Sequence, residues 1–207
     1  MPETASTIRV PLASSGARLK WRAKSALIGA FFGSVWMIWA AIFGPVARTP
    51  ALIFVGVLAI PLVGWAVSRF RAVRRYEDFA ADRERWASIA PLYWLNTAAE
   101  WVLTIGAVVV LAHLHRYALI PQFAGAIIGL HFLALARILG EPRYYIMGAV
   151  MILSVLASLL IPEGGVRNVI ACAGTGLPMW VTAVVILFRD WNQSAVPLPN
   201  GHGSRAA

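Results

Sequence analysis

Charge is what this chain has least of. Only 13% of its 207 residues are Asp, Glu, Lys or Arg, against roughly 25% in an ordinary soluble domain. Hydrophobic residues make up 59% and the mean hydropathy is +0.71. So little charge excludes a disordered chain and an ordinary soluble domain. A formal charge of +9 would indicate a nucleic-acid partner only if the basic residues lined one folded face. Here they fall in bursts between long apolar runs, so a nucleic-acid partner is not expected.

Other absences narrow the chemistry. The single cysteine, Cys172, excludes an intrachain disulfide and a dithiol centre. The two lysines, Lys20 and Lys24, precede the first apolar run, so no lysine stands in the membrane to hold a Schiff base. His113 and His115 flank the end of a run while His131 lies deep within another, which argues against a bis-histidine haem. No H-E-x-x-H, Gly-x-Ser-x-Gly or Walker lysine motif is present. No cofactor and no metal is therefore expected. These absences weigh against an enzyme.

What is present is a series of apolar runs. Crossing the hydrocarbon takes about 20 apolar residues, and six segments qualify: Ala26–Val46, Ala51–Val67, Ala90–Ala112, Ala118–Leu139, Tyr145–Ile161 and Val169–Phe188. The expected fold is an all-α polytopic bundle of six transmembrane helices over residues 25–190. A basic segment (1–24) precedes it, a flexible tail (191–207) follows, and one long loop (69–87) interrupts it. Phe70, Val73, Tyr76, Phe79 and Ala80 recur in that loop near helical spacing among charges, including an Arg74–Asp78 pair at i,i+4, so it reads as a helical extension or interfacial helix. The first apolar run is too long for a cleavable signal peptide.

Of eighteen Lys and Arg residues, only Arg48, Arg116 and Arg167 fall on one side; the other fifteen mark the opposite one. The positive-inside bias then puts both termini in the cytoplasm. Trp21, Trp65, Trp86 and Trp191 belong to the aromatic belt of that face, where anionic lipid headgroups are the expected partners. The excess of Arg over Lys, with abundant Ala, suggests a bacterial inner-membrane protein.

Residues 29–44 and 125–140 match at six of sixteen positions, at a spacing of 96 residues. With three spans per unit, the second unit would be inverted, a 3+3 layout common in transporters. Chance likeness of Gly- and Ala-rich helices gives the same pattern. Each segment also carries a Gly-x-x-x-Gly pair, Gly29/Gly33 and Gly125/Gly129, which lets helix backbones approach closely. Internal packing is the favoured use of both pairs, ahead of a homo-oligomer or partner-subunit seam. Gly174 and Gly176, just before Pro178, mark a candidate kink.

Glu100 stands near the middle of the third run, where a charged carboxylate costs about 2.5–3.5 kcal/mol on insertion scales. Asn96 and Thr104 lie one turn to either side, giving a polar stripe that must face the bundle interior or a wet cavity. His131, on the antiparallel fourth run, lies at similar depth by the 1.5 Å helical rise and points away from the Gly125/Gly129 face. A Glu100–His131 contact is therefore expected. Trp36, Trp39, Trp94, Trp101 and Trp180 are too deep for the belt and can wall a pocket for an organic cation with Glu100 as counter-charge. The leading expectation is a proton-coupled transporter or channel-like protein for a small cationic or polar solute. A structural subunit and a lipid-handling enzyme are the alternatives.

Overall fold

The computed structural model describes residues 15–45, 47–73 and 80–193, and all the regular structure among them is helical. Six α-helices follow in chain order: α1 (Ser15–Phe43), α2 (Arg48–Val73), α3 (Ala80–His113), α4 (Ile120–Leu139), α5 (Arg143–Leu159) and α6 (Gly165–Gln193). A short 3-10 turn, Tyr117–Leu119, leads into α4. Five of the six are long and apolar enough to cross a membrane; α5, at 17 residues, is the shorter one. Among the described residues the fold is all-helical, that of a multi-pass membrane protein. Its exposed surface agrees, since Ile53, Phe54, Ile60, Leu95, Val102 and Leu153 are each more than half exposed.

The helices reach further than hydropathy alone indicates. α1 begins at Ser15 and carries Lys20, Arg22 and Lys24 on its first turns, because nothing after Gly16 interrupts a run of Ala, Arg, Leu and Lys, all good helix formers. Part of the 69–87 loop is helical extension as well: Arg69–Val73 continues α2, and 80–87 opens α3. Arg74, Tyr76, Asp78 and Phe79 lie outside the described residues, as do 1–14 and 194–207. α6 runs without a break through Pro178 to Gln193, so the tail expected from 191 is still helical there. Proline is also accommodated inside α2 (Pro61) and α3 (Pro91).

Contacts between helix ends fix their directions. The Tyr144 hydroxyl donates to Ser25 Oγ at 3.0 Å, the Trp65 and Phe188 rings meet edge-on at 4.9 Å, and Trp21 meets Trp86 at 4.7 Å. These pairs gather Arg22, Arg69, Arg85, Arg143 and Arg189 at one end, called here the basic end. Arg48, Arg116 and Arg167 lie at the other.

Glycine decides which helices pack tightly. Without a hydrophobic drive inside lipid, association depends on close van der Waals approach. A Cβ placed on Gly29 would lie 3.1 Å from the Met179 carbonyl oxygen, and one on Gly33 would lie 3.1 Å from that of Gly176. α1 and α6 therefore interlock backbone to backbone. Gly129 faces the Gly148 carbonyl in the same way, also at 3.1 Å, while Gly125 abuts Thr175 and Val155. Gly174 is pressed against Ser154 of α5, and Gly176 against Trp36 and Met37 of α1, so the glycines expected to loosen α6 are packing surfaces. Both Gly-x-x-x-Gly pairs thus lie inside the bundle. α3 stands outside this arrangement and packs on α4 and the 3-10 turn.

Filling these interlocks separates the glycines that matter from those that do not. Gly33→Val and Gly129→Val are each expected to cost about 1–3 kcal/mol by overpacking, lowering the melting midpoint in mild detergent. Gly56→Ala and Gly64→Ala, with nothing within 4 Å of the new methyl, should leave it unchanged or raise it.

Candidate functional site

α1 and α3 meet at the basic end, where Trp21 also lies 6.4 Å from the Tyr93 ring, and further along they border a cleft of about 430 Å³. That volume lies within the 300–1,000 Å³ typical of small-molecule sites. α1 lines it with Ile28, Gly29, Phe32, Val35, Trp36 and Trp39, whose spacing traces one helix face. α3 supplies Tyr93, Thr97, Glu100, Trp101, Thr104 and Val108. α4 forms the floor with Ile120, Ala124, Ile128, His131 and Phe132, and α6 adds Met179. Phe32, Val35, Trp39 and Trp101 line the cleft and are each more than a third exposed, so it is open rather than sealed.

The cleft follows from the packing. α1 spends its glycine face on α6, and the edge turned toward α3 bears bulky Phe32, Val35 and Trp39. α3 has no glycine interlock; the space around Gly106 is open to 4 Å. Neither helix offers the other a surface on which backbones can approach.

The polar stripe of α3 meets α4 at one residue. His131 Nδ1 lies 3.4 Å from Glu100 Oε2 and 3.0 Å from Asn96 Nδ2. Asn96 Nδ2 also donates to the His131 carbonyl oxygen at 3.3 Å, fixing the depth of α3 against α4. The side chains of His131 and Glu100 retain 11% and 21% exposure, so the pair is sheltered yet borders the cleft. Its two partners suit opposite states of one nitrogen. A bare Nδ1 accepts from Asn96, and a protonated Nδ1 donates to Glu100. Thr104 lies one turn beyond Glu100, and its buried hydroxyl has no hydrogen-bond partner among the described residues.

The structure brings Glu100, His131 and Asn96 together and puts Thr104 on the same cleft. Of the five deep tryptophans, Trp36, Trp39 and Trp101 line it. Trp94 and Trp180 do not, which corrects the expectation that all five wall one pocket. Trp94 is 59% exposed on the outer face of α3, its ring against Tyr93. Trp180 is buried between α6 and α1, where Nε1 donates to Ser34 Oγ at 3.2 Å in space that Gly33 leaves free. Tyr93 and Thr97 are additions, legible as the i−7 and i−3 neighbours of Glu100 on the same helix face. The Thr97 hydroxyl is tied to the Tyr93 carbonyl at 3.0 Å.

Among the described residues, no three His, Cys, Asp or Glu side chains cluster to hold a metal ion. The cleft lining contains no Lys or Arg; its ionisable groups are Glu100, His131 and Tyr93. It can therefore pair an apolar guest with a single carboxylate. No family model, curated protein or solved structure matches this chain.

If Glu100 and His131 act as a pair, removing either weakens the other's anchoring. A double-mutant cycle with Glu100→Gln and His131→Leu should return a coupling energy near the mean of about 0.6 kcal/mol for polar contacts between membrane helices, and no more than about 1.7 kcal/mol. Reversible unfolding in detergent measures it.

Proposed function

We propose that this chain binds a lipophilic organic cation in the α1–α3 cleft and exchanges it for a proton held by Glu100 and His131. We place the protein in a bacterial inner membrane with six crossings, α5 being the shortest, and with the basic end in the cytoplasm as the Lys/Arg distribution directs. The observation carrying the reading is a cleft walled by Trp36, Trp39 and Trp101 whose one acidic residue is Glu100.

Charge balance supplies the mechanism. With one proton the Glu100–His131 pair is neutral, whichever member holds it. With none it carries −1. An unpaired negative charge in an apolar cleft is costly, so releasing the proton calls for a cation in its place. One proton leaves as one monovalent cation binds, and the site remains neutral. Aromatic walls attract a cation through their ring quadrupoles and pack against its apolar groups. Asn96 supports His131 in the proton-free state by donating to its bare Nδ1. We place the open side of the cleft toward lipid, where it admits a guest already dissolved in the bilayer and favours a lipophilic cation over a strongly hydrated one.

The experiment is ethidium uptake by proteoliposomes under an imposed pH gradient. The wild-type chain should show gradient-dependent uptake. Glu100→Gln should reduce it at least about tenfold, to the level of empty liposomes, while the purified protein keeps its elution profile and tryptophan fluorescence. Wild-type-like flux by that variant would overturn the proposal. Unchanged flux with a lowered melting midpoint would favour a structural subunit instead.

A further inference from the structure

The cleft does not end at His131. A slot of about 90 Å³ continues from it toward the basic end. The two share Ile28, Gly29, Tyr93, His131, Phe132 and Met179, so His131 stands where they join. Nearer the basic end the slot shares Trp21, Ser25, Leu139 and Tyr144 with a cavity of about 60 Å³. Glu141 and Arg143 also line that cavity, and their side chains keep 37% and 29% exposure. The three spaces therefore follow one another from the Glu100–His131 pair to the surface of the basic end.

Size decides what can pass. At ~30 Å³ per water in the liquid, the slot has room for about three waters and too little for an organic cation. Its throat is the ring of four residues shared with the outer cavity. Across it the Tyr144 hydroxyl of α5 donates to Ser25 Oγ of α1 at 3.0 Å. Both hydroxyls can donate and accept at once, so each can take a proton on one side and release one on the other. The titratable side chains lining the slot are Lys24, Tyr93, His131 and Tyr144, whereas Glu100 lines the cleft alone. The slot thus reaches the pair through its histidine, and the cleft reaches it through both members.

We propose that the slot is the proton path of the exchange, with water in it linking His131 to the basic end and the Ser25–Tyr144 pair handing protons across the throat. The inference rests on the exchange reading above and adds to it a proton entrance distinct from that of the guest. For an inward proton, water gives it to the Tyr144 oxygen, Tyr144 gives its own to Ser25, and Ser25 gives its own to slot water and so to His131. Each O–H bond made is matched by one broken, and both hydroxyls end neutral. A proton can then leave toward the basic end while the guest occupies the cleft.

The test compares the rate of ethidium-driven proton release, followed by stopped flow with pyranine in proteoliposomes, with ethidium affinity, read from tryptophan fluorescence of the purified full chain. Ser25→Ala and Tyr144→Phe each remove one hydroxyl and no carbon. Each should slow proton release at least about tenfold, leave ethidium affinity unchanged, and slow further in D2O by a larger factor than the wild type. Ser25→Thr, which keeps the hydroxyl, should retain the wild-type rate. So should Ser68→Ala, whose hydroxyl bonds the Trp65 carbonyl outside all three spaces. Wild-type rates in both hydroxyl deletions would overturn the path and leave the exchange standing. Affinity falling in step with rate, no enlarged D2O effect, or Ser25→Thr as slow as Ser25→Ala would overturn it too, since the hydroxyls would then serve packing. A wild type that neither binds ethidium nor releases protons would sink the exchange reading itself, and the path with it.

Discussion

The structure depends on how closely membrane helices can bring their backbones. In lipid a helix gains little by hiding apolar side chains, so attraction must come from dense contact. Gly29 and Gly33 supply that contact between α1 and α6, Gly129 and Gly148 between α4 and α5, and Gly174 between α6 and α5. These interlocks join α1, α4, α5 and α6. α3 has no such surface and lies at the margin, held by α4. Space between α1 and α3 follows directly: two helices that cannot interlock, each fixed elsewhere, leave a gap whose width is set by Trp and Phe side chains.

A helix so loosely packed needs another restraint, and α3 obtains it from polar groups. Asn96 binds both the ring and the carbonyl oxygen of His131, and Glu100 approaches the same ring from the next turn. At this depth neither group finds water from the lipid side, so the alternative to the contact is an unsatisfied polar group in hydrocarbon. The aromatic cluster of Trp21, Trp86 and Tyr93 adds a second restraint at the basic end. The site chemistry and the anchoring of α3 are therefore the same few residues.

Much of this was legible in the sequence, and the exceptions have a common cause. The Glu100–His131 contact is readable because local geometry determines it: i,i+4 spacing defines the stripe, and a short turn with a fixed rise per residue sets the relative depth of two antiparallel helices. The glycine pairs are readable because few other residues permit backbone contact. The partners of a large side chain are different. Trp180 and Trp36 lie at comparable hydropathy and depth, yet Trp180 fills the notch beside Gly33 and Trp36 lines the cleft. Trp94 and Trp101 lie seven residues apart on one face of α3, and the cleft reaches only Trp101. Such outcomes depend on where a third helix passes, which no spacing within one segment records. The helical start of α1 before Ala26 was hidden for another reason, since hydropathy marks where lipid is tolerated and not where a helix begins.

The arrangement around His131 also constrains how a proton change can be expressed. Asn96 serves its bare nitrogen and Glu100 its protonated one, and both stand on α3 one turn apart. Protonation thus transfers the α4 contact from one turn of α3 to the next without releasing either helix. Under the proposed exchange, a cation entering the cleft would compete with His131 for Glu100 and leave the ring to Asn96, which also holds the His131 carbonyl oxygen. On that reading the helix pair would stay tied in every state, and only the carboxylate would change partner. A site built this way would couple charge in the cleft to the proton on the pair through local exchange of hydrogen bonds, with α3 as the wall that carries both partners of the ring.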